Sequence, residues 1–84
     1  MNYMLHMTVE EFSDGDAEAV VLIVDRSTDL PTRRERKILD STEAAFHWCG
    51  KHAADVLGVV SVRPEWVPDD EPRMWRADIR PNFN

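Results

Sequence analysis

Two stretches of strand-type sequence meet at Ser13-Asp14-Gly15-Asp16, and that junction constrains the fold more than any other feature of the chain. Residues 3 to 12 alternate. Tyr3, Leu5, Met7 and Val9 fall on one side and Met4, His6, Thr8 and Glu10 on the other, the pattern of a half-buried strand. Residues 18 to 26 are apolar and largely β-branched on both faces, as expected of a strand with neighbours on either side. An Asp-Gly step between two such runs predicts a hairpin, because glycine adopts positive φ without steric cost.

The next segment, 28 to 40, has two readings. Thr32 followed by Glu35 matches a capping box that would open a long helix. Arg33 to Lys37, however, offers a helix no apolar stripe to bury, so a third strand through about residues 33 to 39 is preferred. A helix then starts at Asp40-Ser41-Thr42-Glu43, with Asp40 expected to accept from the first-turn backbone and Glu43 to answer it. Ala45, Trp48, Cys49, His52 and Val56 share one face of that helix, from 41 to 57, and Gly58 is placed to end it. Val59 to Val67 reads as a fourth strand in which Val60, Val62, Pro64 and Trp66 share a face, with Pro64 marking an edge or a bulge. Pro68 to Pro72 is an acidic turn, and residues 74 to 80 alternate again with Trp75, Ala77 and Ile79 inward. The expected fold is α+β: a single domain, 1–84, with a four- to five-stranded antiparallel sheet in the order β-β-(β)-α-β-β and one helix packed on one face.

The charges are segregated. The first twenty-five residues hold six carboxylates (Glu10, Glu11, Asp14, Asp16, Glu18, Asp25) and no Lys or Arg. Basic residues follow in blocks, Arg33, Arg34, Arg36 and Lys37, then Arg73, Arg76 and Arg80, and a second acidic knot, Asp69-Asp70-Glu71, lies between them. With a net charge of −6, sequence-independent binding of nucleic acid by phosphate neutralisation is disfavoured, and a basic surface on another protein is the better match. The single cysteine, Cys49, permits no internal disulfide, which suits a reducing compartment. The first residues lack the basic and apolar regions of a signal peptide, and the apolar run Ala19 to Val24 is too short to span a bilayer. The expectation is a soluble protein of the cytoplasm, in a bacterial host cell if the likeness below holds, with no membrane partner.

Several candidate chemistries fall away on inspection. Cys49 and His52 share a helix face and, with His47 or His6, are the nearest approach to a zinc set, but no second cysteine pair completes one. Trp48-Cys49-Gly50 resembles the thioredoxin active site, with Lys51 and His52 where that motif has Pro-Cys; Cys49 lies in mid-helix and the resolving cysteine is absent. Asp14-Gly15-Asp16-Ala17-Glu18 looks like half a calcium loop, yet the twelfth position is Asp25, inside the apolar strand. Arg33 to Lys37, Arg76, Arg80 and Trp75 could meet phosphates and a base, against a net negative charge and a Trp75 expected in the core. No serine has a nucleophile-elbow context and no glycine-rich loop cradles phosphate. No catalytic residue, metal ligand set or cofactor is therefore expected, and direct nucleic-acid binding is not.

The acidic residues carry the strongest remaining signal. Glu10, Glu11, Asp14, Asp16 and Glu18, helped by Asp69, Asp70 and Glu71, are the expected partner-binding residues, and the dense clustering of the first five costs self-repulsion that a binding surface would explain. In overall profile, a tiny acidic α+β domain without a catalytic set, the chain resembles the anti-CRISPR and related anti-defence proteins of phages, and its Leu39-Asp40-Ser41-Thr42-Glu43 junction is similar to that in some of them. That likeness implies a non-enzymatic inhibitor that occludes a basic nucleic-acid-binding surface of a host protein, with a homodimer left open. Asp29-Leu30-Pro31 and Ser41-Thr42-Glu43-Ala44-Ala45 also resemble, over about the first fifty-seven residues, the HicB-type antitoxins, although Thr32 stands where that family has a glycine. This second likeness implies neutralisation of an RNA-cleaving toxin. A thiol or metal activity at Cys49 and His52 is the enzyme alternative.

Overall fold

A computed structural model describes residues 3–80, which leaves the reading at Met1 and Asn2 outside the described residues. The expected hairpin is present. Strands β1 (Tyr3–Glu11) and β2 (Ala17–Asp25) pair antiparallel from Tyr3↔Asp25 to Glu11↔Ala17. At their junction the Gly15 N–H donates to the Phe12 carbonyl at 3.1 Å and the Phe12 N–H to the Asp16 carbonyl at 2.8 Å. Gly15 sits at φ +97°, where a side chain would be strained, and this lets the chain reverse immediately after the turn.

Residues 33 to 39 are strand: β3 (Leu30–Leu39) pairs antiparallel with β2, with a register shift between Ile23 and Val24. The chain then forms α1 (Thr42–Leu57), a two-residue β4 (Val67–Pro68) and β5 (Met74–Ile79). The five strands form one antiparallel sheet in the order β3-β2-β1-β5-β4. The architecture is thus the expected α+β sheet with one helix.

Two details differ from the sequence reading. The helix cap is Ser41, not Asp40: the Ala44 N–H donates to Ser41 Oγ at 3.1 Å, while Ser41 itself is extended at φ −159°. Both residues can cap, and the competent one is whichever stands three positions before the last N–H of the first turn that lacks a helical carbonyl, here that of Ala44. The other end follows expectation, with Gly58 at φ +69° and the Val59 N–H reaching back to the Ala54 carbonyl at 3.0 Å.

The fourth strand is the larger correction. Residues 59 to 66 have no sheet partner among the described residues, and pairing begins only at Val67. Instead this segment returns along the flank of α1, where the Val62 carbonyl lies 3.5 Å from the position a Gly50 side chain would take. Trp66 then packs on Phe46, ring centroids 4.8 Å apart. The alternation of Val62, Pro64 and Trp66 is real, since each is half-buried, but it is satisfied by a helix flank instead of a sheet. Val60 is fully exposed.

The core lies between α1 and one face of the sheet. Leu5, Met7 and Val9 of β1, Ala17, Ala19, Val21 and Ile23 of β2, and Ala77 of β5 meet Ala45, Cys49 and Ala53 of the helix. So many small side chains at this interface let helix and sheet approach closely, and Trp48, Trp66, Trp75 and Phe46 close its margins. Trp75 faces the core as expected and meets Phe46 edge-on at 5.7 Å. Among the described residues no layer covers the other face of the sheet, where Val20 and Leu22 lie half-buried and Val24 buried.

Candidate functional site

Strand register decides where the acidic residues go. Glu10 and Glu11 end β1, and Ala17 and Glu18 begin β2, so the turn carrying Asp14 and Asp16 lies at one end of the sheet. Strand β5 starts at that same end, because Met74 pairs with Glu10. The Glu11 N–H donates to the Arg73 carbonyl at 2.8 Å, which ties the β4–β5 connection to the end of β1. Asp69, Asp70 and Glu71 belong to that connection. The two acidic runs, far apart in the chain, are therefore brought to one end of the molecule.

Leu39 pairs with Ala17, so β3 also finishes there and α1 begins there. Asp40 and Glu43, both exposed, join the acidic end; as ordinary helix-start residues they carried no separate signal in the sequence.

The eight expected binding residues are not equivalent. Asp14 accepts a hydrogen bond from the Asp16 N–H at 3.0 Å and shapes the first turn. Asp69 accepts from the Asp70 N–H at 2.7 Å and does the same for the second. Glu18 is ion-paired through Oε2 to Arg36 Nη2 at 2.7 Å. Glu10, Glu11, Asp16, Asp70 and Glu71 have no ion pair or side-chain hydrogen bond among the described residues. Glu10 and Glu18 stand directly opposite each other across β1 and β2, a like-charge cross-strand pair that costs stability. Five carboxylates thus present charge to solvent while three hold the turns and the strand in place.

The thiol and imidazole candidates lie in different surroundings. Cys49 is fully buried on the core face of α1, and burial pushes its thiol up to about 12, the opposite of an activated thiolate. His52 stacks on Trp48 with centroids 5.1 Å apart and 9° between the planes. His47 is exposed. His6, on the uncovered sheet face, pairs through Nδ1 with Asp78 of β5. Among the described residues no three His, Cys, Asp or Glu side chains gather as a metal-ligand set, and Asp25, the twelfth position of the supposed calcium loop, is used locally. It accepts from the Ser27 hydroxyl at 2.7 Å and the Ser27 N–H at 2.9 Å, and these bonds hold its carboxyl below the usual range.

A groove of about 410 Å³ runs between α1 and the returning segment, floored by Phe46, Gly50, Ala54 and Val62 and edged by Lys51 and Arg63. It is separate from the acidic turns. No helix among the described residues is long and apolar enough to cross a membrane. No protein-family model, curated protein or solved structure matches the chain.

Proposed function

We propose that this chain is a non-enzymatic binding protein, of the anti-CRISPR-like inhibitor kind, whose acidic end docks on a basic nucleic-acid-binding surface of a host defence protein. The observation that carries the reading is the convergence of the β1–β2 turn and the β4–β5 connection, tied by Glu11 and Arg73, into one acidic end. Five of its carboxylates have no counter-ion among the described residues, so their field is available to a partner. Occlusion would be steric and electrostatic, with fast association that weakens as salt screens it.

The test reverses charge where no fold-bearing bond is lost. Glu10→Lys, Glu11→Lys, Asp16→Lys and Glu71→Lys together should abolish capture of a stoichiometric partner from bacterial lysate while leaving the circular dichroism spectrum unchanged. Unaltered capture by that variant would sink the reading. Asp14, Glu18 and Asp69 are avoided because their bonds support the turns and strand.

A second reading has one observation in its favour. Three strands followed by a helix opened at Ser41-Thr42-Glu43 is the order that the HicB-type likeness implies, with β3 beginning at Leu30-Pro31. An antitoxin would co-purify with one small basic ribonuclease and silence its cleavage of RNA. A captured partner without ribonuclease activity would exclude this second reading.

A further inference from the structure

β3 is an edge strand of the sheet, ten residues long and exposed along almost all its length. One side of its backbone pairs with β2, which leaves N–H and C=O groups of the other side facing outward. Its centre reads Arg33-Arg34-Glu35-Arg36-Lys37. By register with Ile23, Val21 and Ala19, residues Arg33, Glu35 and Lys37 lie on the helix side of the sheet; by register with Leu22 and Val20, Arg34 and Arg36 lie on the uncovered side. Arg33 pairs with Glu35 and Arg36 with Glu18, whereas Arg34 and Lys37, on opposite faces, have no ion pair among the described residues.

We propose that β3 is a docking edge for an acidic extended segment of a partner protein, which adds to the sheet as a further strand. The exposed backbone groups supply the pairing, and the cations select the charge. An added strand projects side chains alternately to the two faces, so carboxylates three positions apart would meet Arg34 on one face and Lys37 on the other. A nucleic-acid backbone would be served by cations on a single face, and the net charge of −6 opposes it. A second copy of this chain fits poorly. Antiparallel pairing of β3 with itself about Glu35 sets Arg34 against Arg36 and Arg33 against Lys37, like charges directly opposed. This surface is distinct from the acidic end, so either can fail without the other.

The test uses the isotope-labelled full chain and a fluorescent synthetic peptide, Val-Glu-Glu-Val-Glu-Glu-Val, at low salt. The peptide should perturb and protect the amides of residues 32 to 39 and leave the β1–β2 turn unmoved. The double variant Arg34→Glu, Lys37→Glu should weaken binding about tenfold or more, the equivalent of about 1.4 kcal/mol, with an unchanged melting temperature. The same peptide N-methylated at every residue keeps its charge but offers no N–H on either edge, so it cannot form a strand ladder with β3, and it should not bind. Three results would overturn the proposal: equal binding of the methylated peptide, tighter binding of a single-stranded oligonucleotide of the same charge, or no response of the β3 amides at millimolar peptide.

Discussion

Glu11 and Arg73 are joined main chain to main chain, the Glu11 N–H donating to the Arg73 carbonyl at 2.8 Å. Arg73 makes this bond from φ +61°, a left-handed backbone that non-glycine side chains adopt at a cost. The contact fixes the turn of Asp69, Asp70 and Glu71 against the end of β1, and the proposed acidic docking end rests on it. Arg73→Gly keeps the geometry and should leave stability level or slightly raised. Arg73→Val places a β-branched side chain at positive φ and should cost about 1–2 kcal/mol in chemical denaturation. Equal stability of the two variants would show that the turn does not depend on this conformation.

The opposed pair Glu10 and Glu18 predicts a trade between stability and binding. Glu10→Gln removes a like-charge cross-strand contact and should raise the melting temperature modestly, by about 0.2–1 kcal/mol in stability at low salt, while weakening partner binding. Arg36→Gln strips Glu18 of its counter-ion and should destabilise by about 0.5 kcal/mol at low salt and less at high salt. Thermal melts of both variants across a salt series measure these effects.

Capping offers a check on the helix start. Ser41→Ala deletes the acceptor of the Ala44 N–H and should cost about 1 kcal/mol, whereas Asp40→Ala should cost a few tenths at most. The reverse order would place the cap one residue earlier.

Burial of Cys49 has a pH signature. Its thiol titrates near 9.0 when exposed and at about 12 in the folded chain, so the native state holds the proton over that interval while the unfolded state releases it. The contribution to stability is therefore constant below pH 9 and falls above it, by up to about 1.4 kcal/mol per pH unit. Urea melts between pH 8 and 10.5 should show this fall, and Cys49→Ala, though less stable throughout, should lack that part of it. Fast reaction of the native thiol with a disulfide reagent at neutral pH would contradict the buried placement.

Much of the fold was legible because local pattern and tertiary role coincide. Strict alternation in Tyr3 to Glu10 and β-branching on both faces of β2 encode an interior pair of strands, and offsets of 3, 4, 7 and 11 encode the face of α1. β3 was legible by exclusion, since its charged centre gives a helix nothing to bury and an edge strand nothing to hide. The segment 59 to 66 misled because alternation reports only that every second residue is half-buried. It does not say whether a sheet or a helix flank does the burying, and Pro64 withholds the N–H that sheet pairing would use there. The acidic runs could be recognised separately, but their meeting depends on β1–β5 pairing, a long-range contact with no local trace. Asp40 and Glu43 were hidden because carboxylates are ordinary at a helix start.

The most direct test of the acidic end is a competition on a captured partner. With the partner in hand, a labelled nucleic acid bound to it is titrated with the chain, at low and at high salt, and followed by fluorescence anisotropy. An occluding acidic end gives stoichiometric release of the nucleic acid at low salt, much weaker release at high salt, and none by the Glu10, Glu11, Asp16 and Glu71 charge-reversed variant. A ternary complex, with nucleic acid still bound while the chain saturates the partner, would contradict it.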